Sequence, residues 1–186
     1  MDRPLASPYQ LGARRGLPFG AILCAMFFAI IRSQAVPLLS LLAVVLFIAV
    51  PFVIYLWLRR TYVSERGMTT LSGLWMQGIM IFACGSMLCA AVSAAYLKWI
   101  EPEYISSIIH QAIDFYQGVG DDRADRIADM LERMVKAGAV PSGAYMAFEM
   151  MWLSIFSGSL LSLLLSLLAM ARGVRPVPPA PPSIQV

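Results

Sequence analysis

Four long apolar runs, at about residues 17–35, 38–58, 71–97 and 145–171, limit what this chain can fold into. A helix needs roughly 20 apolar residues to cross the hydrocarbon core of a bilayer. Hydrophobic residues make up 59% of the chain and charged residues 13%, whereas soluble domains contain about 45–50% and about 25%. The sequence therefore predicts an all-α integral membrane protein with four transmembrane helices.

The first run allows two interpretations. Leu17–Ile31 contains no charge but is short for a span, and Arg14 and Arg15 precede it. Together with Ser33-Gln34-Ala35, which resembles a small-residue cleavage site, this arrangement is also typical of a signal peptide. We expect an uncleaved helix, because the polar segment 1–16 is long and a second span follows at once. That segment is predicted to lie at the membrane surface.

The third and fourth runs carry small residues at a spacing of four. Such residues share one face of a helix and let another helix approach closely. The third and fourth spans are therefore predicted to pack against each other. The residues of the two stripes are Ser86, Ala90 and Ala94 in the third run, and Ser154, Gly158, Ser162 and Ser166 in the fourth.

Residues 98–143 form the one long polar insert. Apolar residues recur at helical spacing from Ile105 to Tyr116 and again from Ala124 to Val135, with Gly118 and Gly120 between the two patterns. Asp121 is placed to cap the second helix. The pattern predicts a helical hairpin between the last two spans, which either folds on itself or on the outer leaflet, or docks a partner.

The basic residues predict the orientation. The segment 1–16, the connector 59–66 and the tail 172–186 carry eight arginines and two acidic residues, whereas the Arg32 turn and the insert 98–143 carry six basic and eight acidic residues. Basic residues that border spans stay in the cytoplasm. We expect both termini in the cytoplasm, the insert outside, and a bacterial inner membrane as the location. The proline-rich tail is predicted to stay outside the packed core.

Few polar groups lie within the apolar runs. Glu149 is an intramembrane carboxylate, which is costly in lipid and marks function by default, while Lys98 is a possible ion-pair partner for it. Gln77 is expected to make a hydrogen bond between helices. His110, the single histidine, has no second ligand nearby in the sequence. We therefore nominate no catalytic residue, no metal ligand and no cofactor, and the net charge of +3 does not indicate nucleic-acid binding.

Several short motifs resemble a known family. They are Arg59-Arg60-Thr61-Tyr62 after the second span, Gly73 and Gly78 in the third, and Tyr96 with Ile100-Glu101-Pro102-Glu103-Tyr104 at its exit. In this order they resemble the bacterial inner-membrane family known as domain of unknown function 4199, over roughly residues 17–171. The resemblance implies four spans with a helical outward loop between the last two, and it implies no activity or cofactor.

Two classes of function remain open. The first is a non-enzymatic accessory or scaffold subunit of an envelope complex, which presents the insert to another membrane or envelope protein. The second is a small carrier or flippase-like component that uses Glu149, as a homo-oligomer, since four helices enclose little volume. In either case, membrane lipid surrounds the protein.

Overall fold

A computed structural model describes residues 7–33, 36–65 and 67–173, and these residues form six helices. The helices are α1 (Pro8–Arg32), α2 (Leu38–Ser64), α3 (Leu71–Trp99), α4 (Tyr104–Val119), α5 (Asp122–Lys136) and α6 (Gly143–Ala171). Four of them, α1, α2, α3 and α6, are long and apolar enough to cross a membrane. The prediction of an all-α multi-pass membrane protein is confirmed.

The starts of three long helices are fixed by side chains. The hydroxyl oxygens of Ser7, Thr70 and Ser142 accept hydrogen bonds from backbone N–H groups in the first turns of α1, α3 and α6. A serine or threonine cap satisfies a donor that the helix itself leaves free. Asp121 occupies the N-cap position of α5, as its place in the sequence predicts, but its side chain makes no capping hydrogen bond.

Helix α3 lies at the centre of the bundle. Its most extensive contacts are with α1 and α6, while α2 packs mainly against α6 and α1. The core between these helices contains fully buried Phe19, Ile54, Leu74 and Ile81. The hairpin of α4 and α5 makes its main contacts within itself, so it is joined to the bundle chiefly through its two ends.

Small residues bring α1 and α3 close together. A Cβ placed on Gly12 would lie 2.9 Å from the backbone oxygen of Gln77, and one placed on Gly16 would lie 2.5 Å from Cβ of Cys84. Gly20 is equally close to Leu88. These three glycines are spaced by four residues and line one face of α1. A side chain on this face would push the two helices apart.

The structure differs from the sequence-based boundaries at the beginning of the chain. The first helix begins at Pro8, whereas the apolar run begins at residue 17, and residues 8–16 continue the helix against α3. Helix α2 likewise extends to Ser64. Positions 1–6, 34–35, 66 and 174–186 lie outside the described residues, and with them most of the cleavage-site pattern, the last arginine of the connector 59–66 and the proline-rich tail.

Candidate functional site

Arginines hold the helices together at one end of the bundle. The Arg15 guanidinium donates from Nη1 to the carbonyl oxygen of Trp57 and to Oγ1 of Thr61, both at 2.7 Å. These contacts join α1 to α2 over a separation of more than forty residues. A charged group inside a membrane bundle is tolerated when such partners satisfy it. Arg15 therefore has a structural role.

Arg59 joins α2 to the end of α6 through hydrogen bonds. Its Nη1 donates to the carbonyl oxygen of Ala169 at 2.8 Å, and its Nη2 donates to that of Gly173 at 2.8 Å. The last carbonyl groups of a helix have no partner within the helix, and the helix dipole favours a cation there. The Arg59-Arg60-Thr61-Tyr62 segment thus fixes α2 against α1 and α6.

A cleft of about 470 Å³ lies at the opposite end of the bundle. It opens between the end of α1, the turn that joins α3 to α4, and the first turn of α4. We call it the interfacial cleft. Its lining combines one guanidinium, two carboxylates and two hydroxyl groups with apolar side chains: Ile31, Arg32, Ile100, Glu101, Pro102, Glu103, Tyr104 and Ser107.

Backbone hydrogen bonds shape this end of α3. The N–H groups of Ile100 and Glu101 both donate to the carbonyl oxygen of Tyr96, at 2.9 and 3.2 Å. The N–H of Tyr104 then donates to the carbonyl oxygen of Glu101, at 3.2 Å. The turn therefore holds the Glu101 and Glu103 carboxylates close to the start of α4.

The hydroxyl of Tyr96 lies beneath these charged groups. Tyr96 is only 8% exposed, and its hydroxyl makes no hydrogen bond although Arg32 and Glu101 lie beside it. Edge-to-face contacts fix the ring, with centroid distances of 6.0 Å to Phe27 and 5.3 Å to Phe28. A buried hydroxyl without a partner is costly and calls for an explanation.

Tyr104 borders the same group of side chains. Burial, and then the nearby Glu101 carboxylate, raise the pKa of Tyr104 above its usual value. Its phenol therefore stays protonated near neutral pH and is able to donate a hydrogen bond.

The α4–α5 hairpin is held by a small core and by polar contacts. Ile113, Ala124 and Ala128 are buried between the two helices. Nε2 of Gln117 donates to Oε1 of Glu132 at 2.9 Å, and Lys136 pairs with the other carboxylate oxygen at 2.8 Å. These contacts set the register of the two helices.

Several large apolar side chains of the hairpin remain uncovered. Phe115 is 68% exposed and Met130 is 74% exposed, and Ile108, Val119 and Ile127 are exposed as well. They belong to both helices of the hairpin. We refer to these five side chains as the hairpin apolar surface.

The structure does not bring Glu149 and Lys98 together. Both side chains are exposed, and no ion pair joins them, although both belong to the described residues. Leu97 packs against Gly143, so Glu149 lies about 9 Å further along α6, at about 1.5 Å per residue. This difference in depth explains why an intramolecular pair does not form.

The other predicted polar group, Gln77, is 1% exposed and leaves Nε2 without a hydrogen-bond partner. It therefore does not make the expected hydrogen bond between helices. In the α6 stripe, Ser162 packs against Gly78, and the hydroxyl groups of Ser162 and Ser166 are buried without a partner. Gly158 lies against the ring of Phe82. This stripe faces α3 and is a packing surface.

The remaining stripe residues occupy similar positions. Ser154, Ala90 and Ala94 are half-buried, and buried Ser86 donates to the carbonyl oxygen of Phe82 in its own helix at 2.7 Å. Within residues 7–33, 36–65 and 67–173, no three His, Cys, Asp or Glu side chains come together in a way that could hold a metal ion.

Sequence reasoning missed two features. The first is the face formed by Gly12, Gly16 and Gly20, whose four-residue spacing is visible in the sequence. The second is the interfacial cleft, which depends on Arg32 meeting Glu101 and Tyr104 across about seventy residues. The motif Ile100–Tyr104 supplies most of the lining. However, no local sequence pattern predicts that Arg32 lies next to this motif in the folded chain.

The fold and its polar ends define a membrane protein of four spans with a helical hairpin between the last two. Residues 14–171 match the family described as protein of unknown function (DUF4199). The chain belongs to this family, as the resemblance of its short motifs implies. No match was found among the curated proteins or among the solved structures.

Proposed function

We propose that the chain is a non-enzymatic accessory or scaffold subunit that holds the α4–α5 hairpin at the membrane surface for a protein partner. The observation that supports this proposal is the hairpin apolar surface. A contiguous apolar patch that stays exposed marks an interaction site, and these five side chains expose apolar surface on both helices of the hairpin. The aromatic and methionine side chains found here are enriched at protein interfaces.

The construction of the bundle supports the same role. The guanidinium groups of Arg15 and Arg59 donate hydrogen bonds between helices. The small residues of the α6 stripe pack against α3. These polar and small residues stabilise a fixed scaffold. The hairpin, in contrast, has its main contacts within itself and leaves apolar surface for another molecule.

We further propose that the membrane is a bacterial inner membrane, with both termini in the cytoplasm and the hairpin outside. The support comes from the arginines, which are concentrated in the amino-terminal segment, the connector after α2 and the tail. A cysteine in place of Asp122 should react with an impermeant reagent in intact spheroplasts. One in place of Ser64 should react only after the membrane is opened, and labelling of both in intact spheroplasts would contradict this orientation.

The alternative, a carrier that uses Glu149, has less support. The Glu149 side chain is exposed on α6 and does not line the interfacial cleft. A carboxylate that relays protons or binds an ion works in a solvated cavity between helices. An exposed position is better suited to contact with a neighbouring subunit, or to reaching the headgroup region, than to a transport path.

The partner proposal is tested by copurification in mild detergent. Met130→Ser removes an apolar contact from the hairpin, and Met68→Ser is the matched control, because Met68 is 77% exposed between α2 and α3. Burial of a methionine side chain is worth about 1.5–3 kcal/mol. We therefore expect Met130→Ser to weaken capture of one stoichiometric protein at least about tenfold, with no change for Met68→Ser.

Two results would contradict the proposal. One is recovery of nothing except further copies of this chain, which favours a homo-oligomer. The other is equal capture by the two variants, which would mean that the hairpin apolar surface does not contact the partner.

A further inference from the structure

The interfacial cleft carries charged groups at the ends of the apolar helices α1 and α3. Trp99 is 75% exposed and Ile100 is 64% exposed beside it. Exposed tryptophan at the end of a membrane span is typical of the boundary between hydrocarbon and water. The volume of about 470 Å³ falls within the range of about 300–1,000 Å³ that is usual for small-ligand sites.

The charges of the cleft are of both signs. Arg32 supplies the one guanidinium, while Glu101 and Glu103 supply two carboxylates. In the described part of the chain, Glu132 and Lys136 form the only ion pair, so Arg32 is not neutralised by either carboxylate. A ligand that carries a negative and a positive group would find a partner for each.

Besides Arg32, the N-terminus of α4 and the hydroxyl of Tyr96 are hydrogen-bond donors near the place where a negative group would bind. No side chain caps the N-terminus of α4, and the first turn of this helix lines the cleft through Tyr104 and Ser107. A free helix N-terminus favours phosphate, because its N–H groups point outward and the helix dipole adds to them. The Tyr96 hydroxyl lies behind this lining, buried and without a hydrogen-bond partner beside Arg32 and Glu101, so it has a proton to donate to a polar group bound next to them.

We propose that the interfacial cleft binds the headgroup of a phospholipid that contains both a phosphodiester and a primary ammonium. Arg32 and the N-terminus of α4 bind the phosphate, and Glu101 and Glu103 accept hydrogen bonds from the ammonium. The acyl chains leave the cleft along the exposed apolar surface at Trp99 and Ile100. Charge-assisted hydrogen bonds of this kind are about twice as strong as neutral ones.

This chemistry distinguishes the common headgroups. An anionic headgroup without an amine would place its charge against two carboxylates and gain nothing from them. A quaternary ammonium has no N–H to donate to a carboxylate. The cleft should therefore prefer phosphatidylethanolamine to phosphatidylcholine and phosphatidylglycerol with the same acyl chains.

Native mass spectrometry of the full chain, delipidated and then exposed to an equal mixture of these three lipids, tests the assignment. A hydrogen bond to a charged group is stronger than one between neutral groups. We expect about tenfold more phosphatidylethanolamine bound than either competitor. Glu101→Gln should remove that preference, whereas Arg32→Gln should weaken binding of all three lipids, because each of them contains the phosphodiester. Asp114→Asn, which removes an exposed carboxylate of α4 outside the cleft, should keep both the preference and the affinity.

Tyr96→Phe separates a binding role from a structural one. If the hydroxyl is reserved for a ligand, its removal should weaken phosphatidylethanolamine binding while the unfolding temperature of the delipidated protein stays equal or rises. A fall in the unfolding temperature without a change in binding would assign the hydroxyl to the fold and overturn this part of the proposal.

Other outcomes reject the lipid. Equal binding of the three lipids, or loss of preference in Asp114→Asn as well, would overturn the assignment. Binding of soluble phosphoethanolamine without a preference among lipids would mean that the cleft takes a soluble zwitterion. If Arg32→Gln fails to fold, Arg32→Lys keeps the charge without the planar guanidinium and should weaken binding of all three lipids to a smaller extent. Unchanged binding in folded Arg32→Lys and Arg32→Ala would overturn the assignment of the phosphate to Arg32.

Discussion

Gly158→Ala adds a single methyl group at the tightest contact between α3 and α6. A Cβ at this position would overlap the ring of Phe82. Phe82 is 5% exposed and makes an edge-to-face contact with Phe19 at a centroid distance of 4.9 Å. Since Phe19 is itself fully buried, the ring has no free space into which to move.

Two opposing effects set the size of the change. Alanine in a helix is favoured over glycine by roughly 0.5–1 kcal/mol. Overpacking a well-packed contact costs about 1–3 kcal/mol. Because the ring is held on its other side, overpacking should prevail, and the free energy of unfolding should fall by about 0.5–2 kcal/mol.

Thermal unfolding in mild detergent measures this difference, at about 2–4 °C per kcal/mol for a chain of this size. Gly118→Ala is the matched control, because Gly118 lies within α4 and a Cβ there meets nothing within 4 Å. We expect the unfolding temperature to fall for Gly158→Ala and to rise or stay equal for Gly118→Ala. The reasoning is refuted if both variants unfold at or above the temperature of the original protein.

The remaining predictions concern other contacts of the bundle. Gly16→Ala should lower the free energy of unfolding by about 1–3 kcal/mol, because its Cβ would lie 2.5 Å from Cβ of Cys84; an unchanged denaturation midpoint would contradict the close approach of α1 and α3. Arg59→Gln should increase amide hydrogen exchange in the last turn of α6, since two carbonyl groups lose their donor, whereas Arg60→Gln, at an exposed position, should leave exchange unchanged. Gln77→Met should leave the free energy of unfolding unchanged or raise it by about 1–3 kcal/mol, because it removes a buried Nε2 that has no hydrogen-bond partner. A clearly lower unfolding temperature would show that this amide has a partner in the membrane.

The spans could be predicted from the sequence because lipid imposes a simple rule. Backbone polar groups in hydrocarbon must bond within the segment, so a long apolar run becomes a helix. The hairpin could also be predicted, because two stretches with apolar residues at helical spacing stand on either side of Gly118 and Gly120. Gly120, with φ of +68°, marks the turn where the two patterns meet.

The start of α1 was not predictable because Arg15 appeared to end the apolar run. Its charge is satisfied by Thr61 and by the Trp57 carbonyl, and nothing in the local sequence reveals partners so far along the chain. The possible ion pair between Lys98 and Glu149 does not form among the described residues, and here too the cause is a contact that the local sequence does not show. The two residues border the same end of their spans in sequence, but the contact between Leu97 and Gly143 sets a register that separates them in depth.

The most direct test of the proposed function is site-specific photocrosslinking in cells from the exposed ring position of Phe115. A benzophenone amino acid at this position should give one defined crosslinked protein, and the same probe at Leu164, a 63% exposed residue of the α6 span, should not give that product. Crosslinks to one protein from Phe115 alone are the predicted result. Crosslinks to lipid alone, or the same products from both positions, would contradict a hairpin that serves as a docking surface.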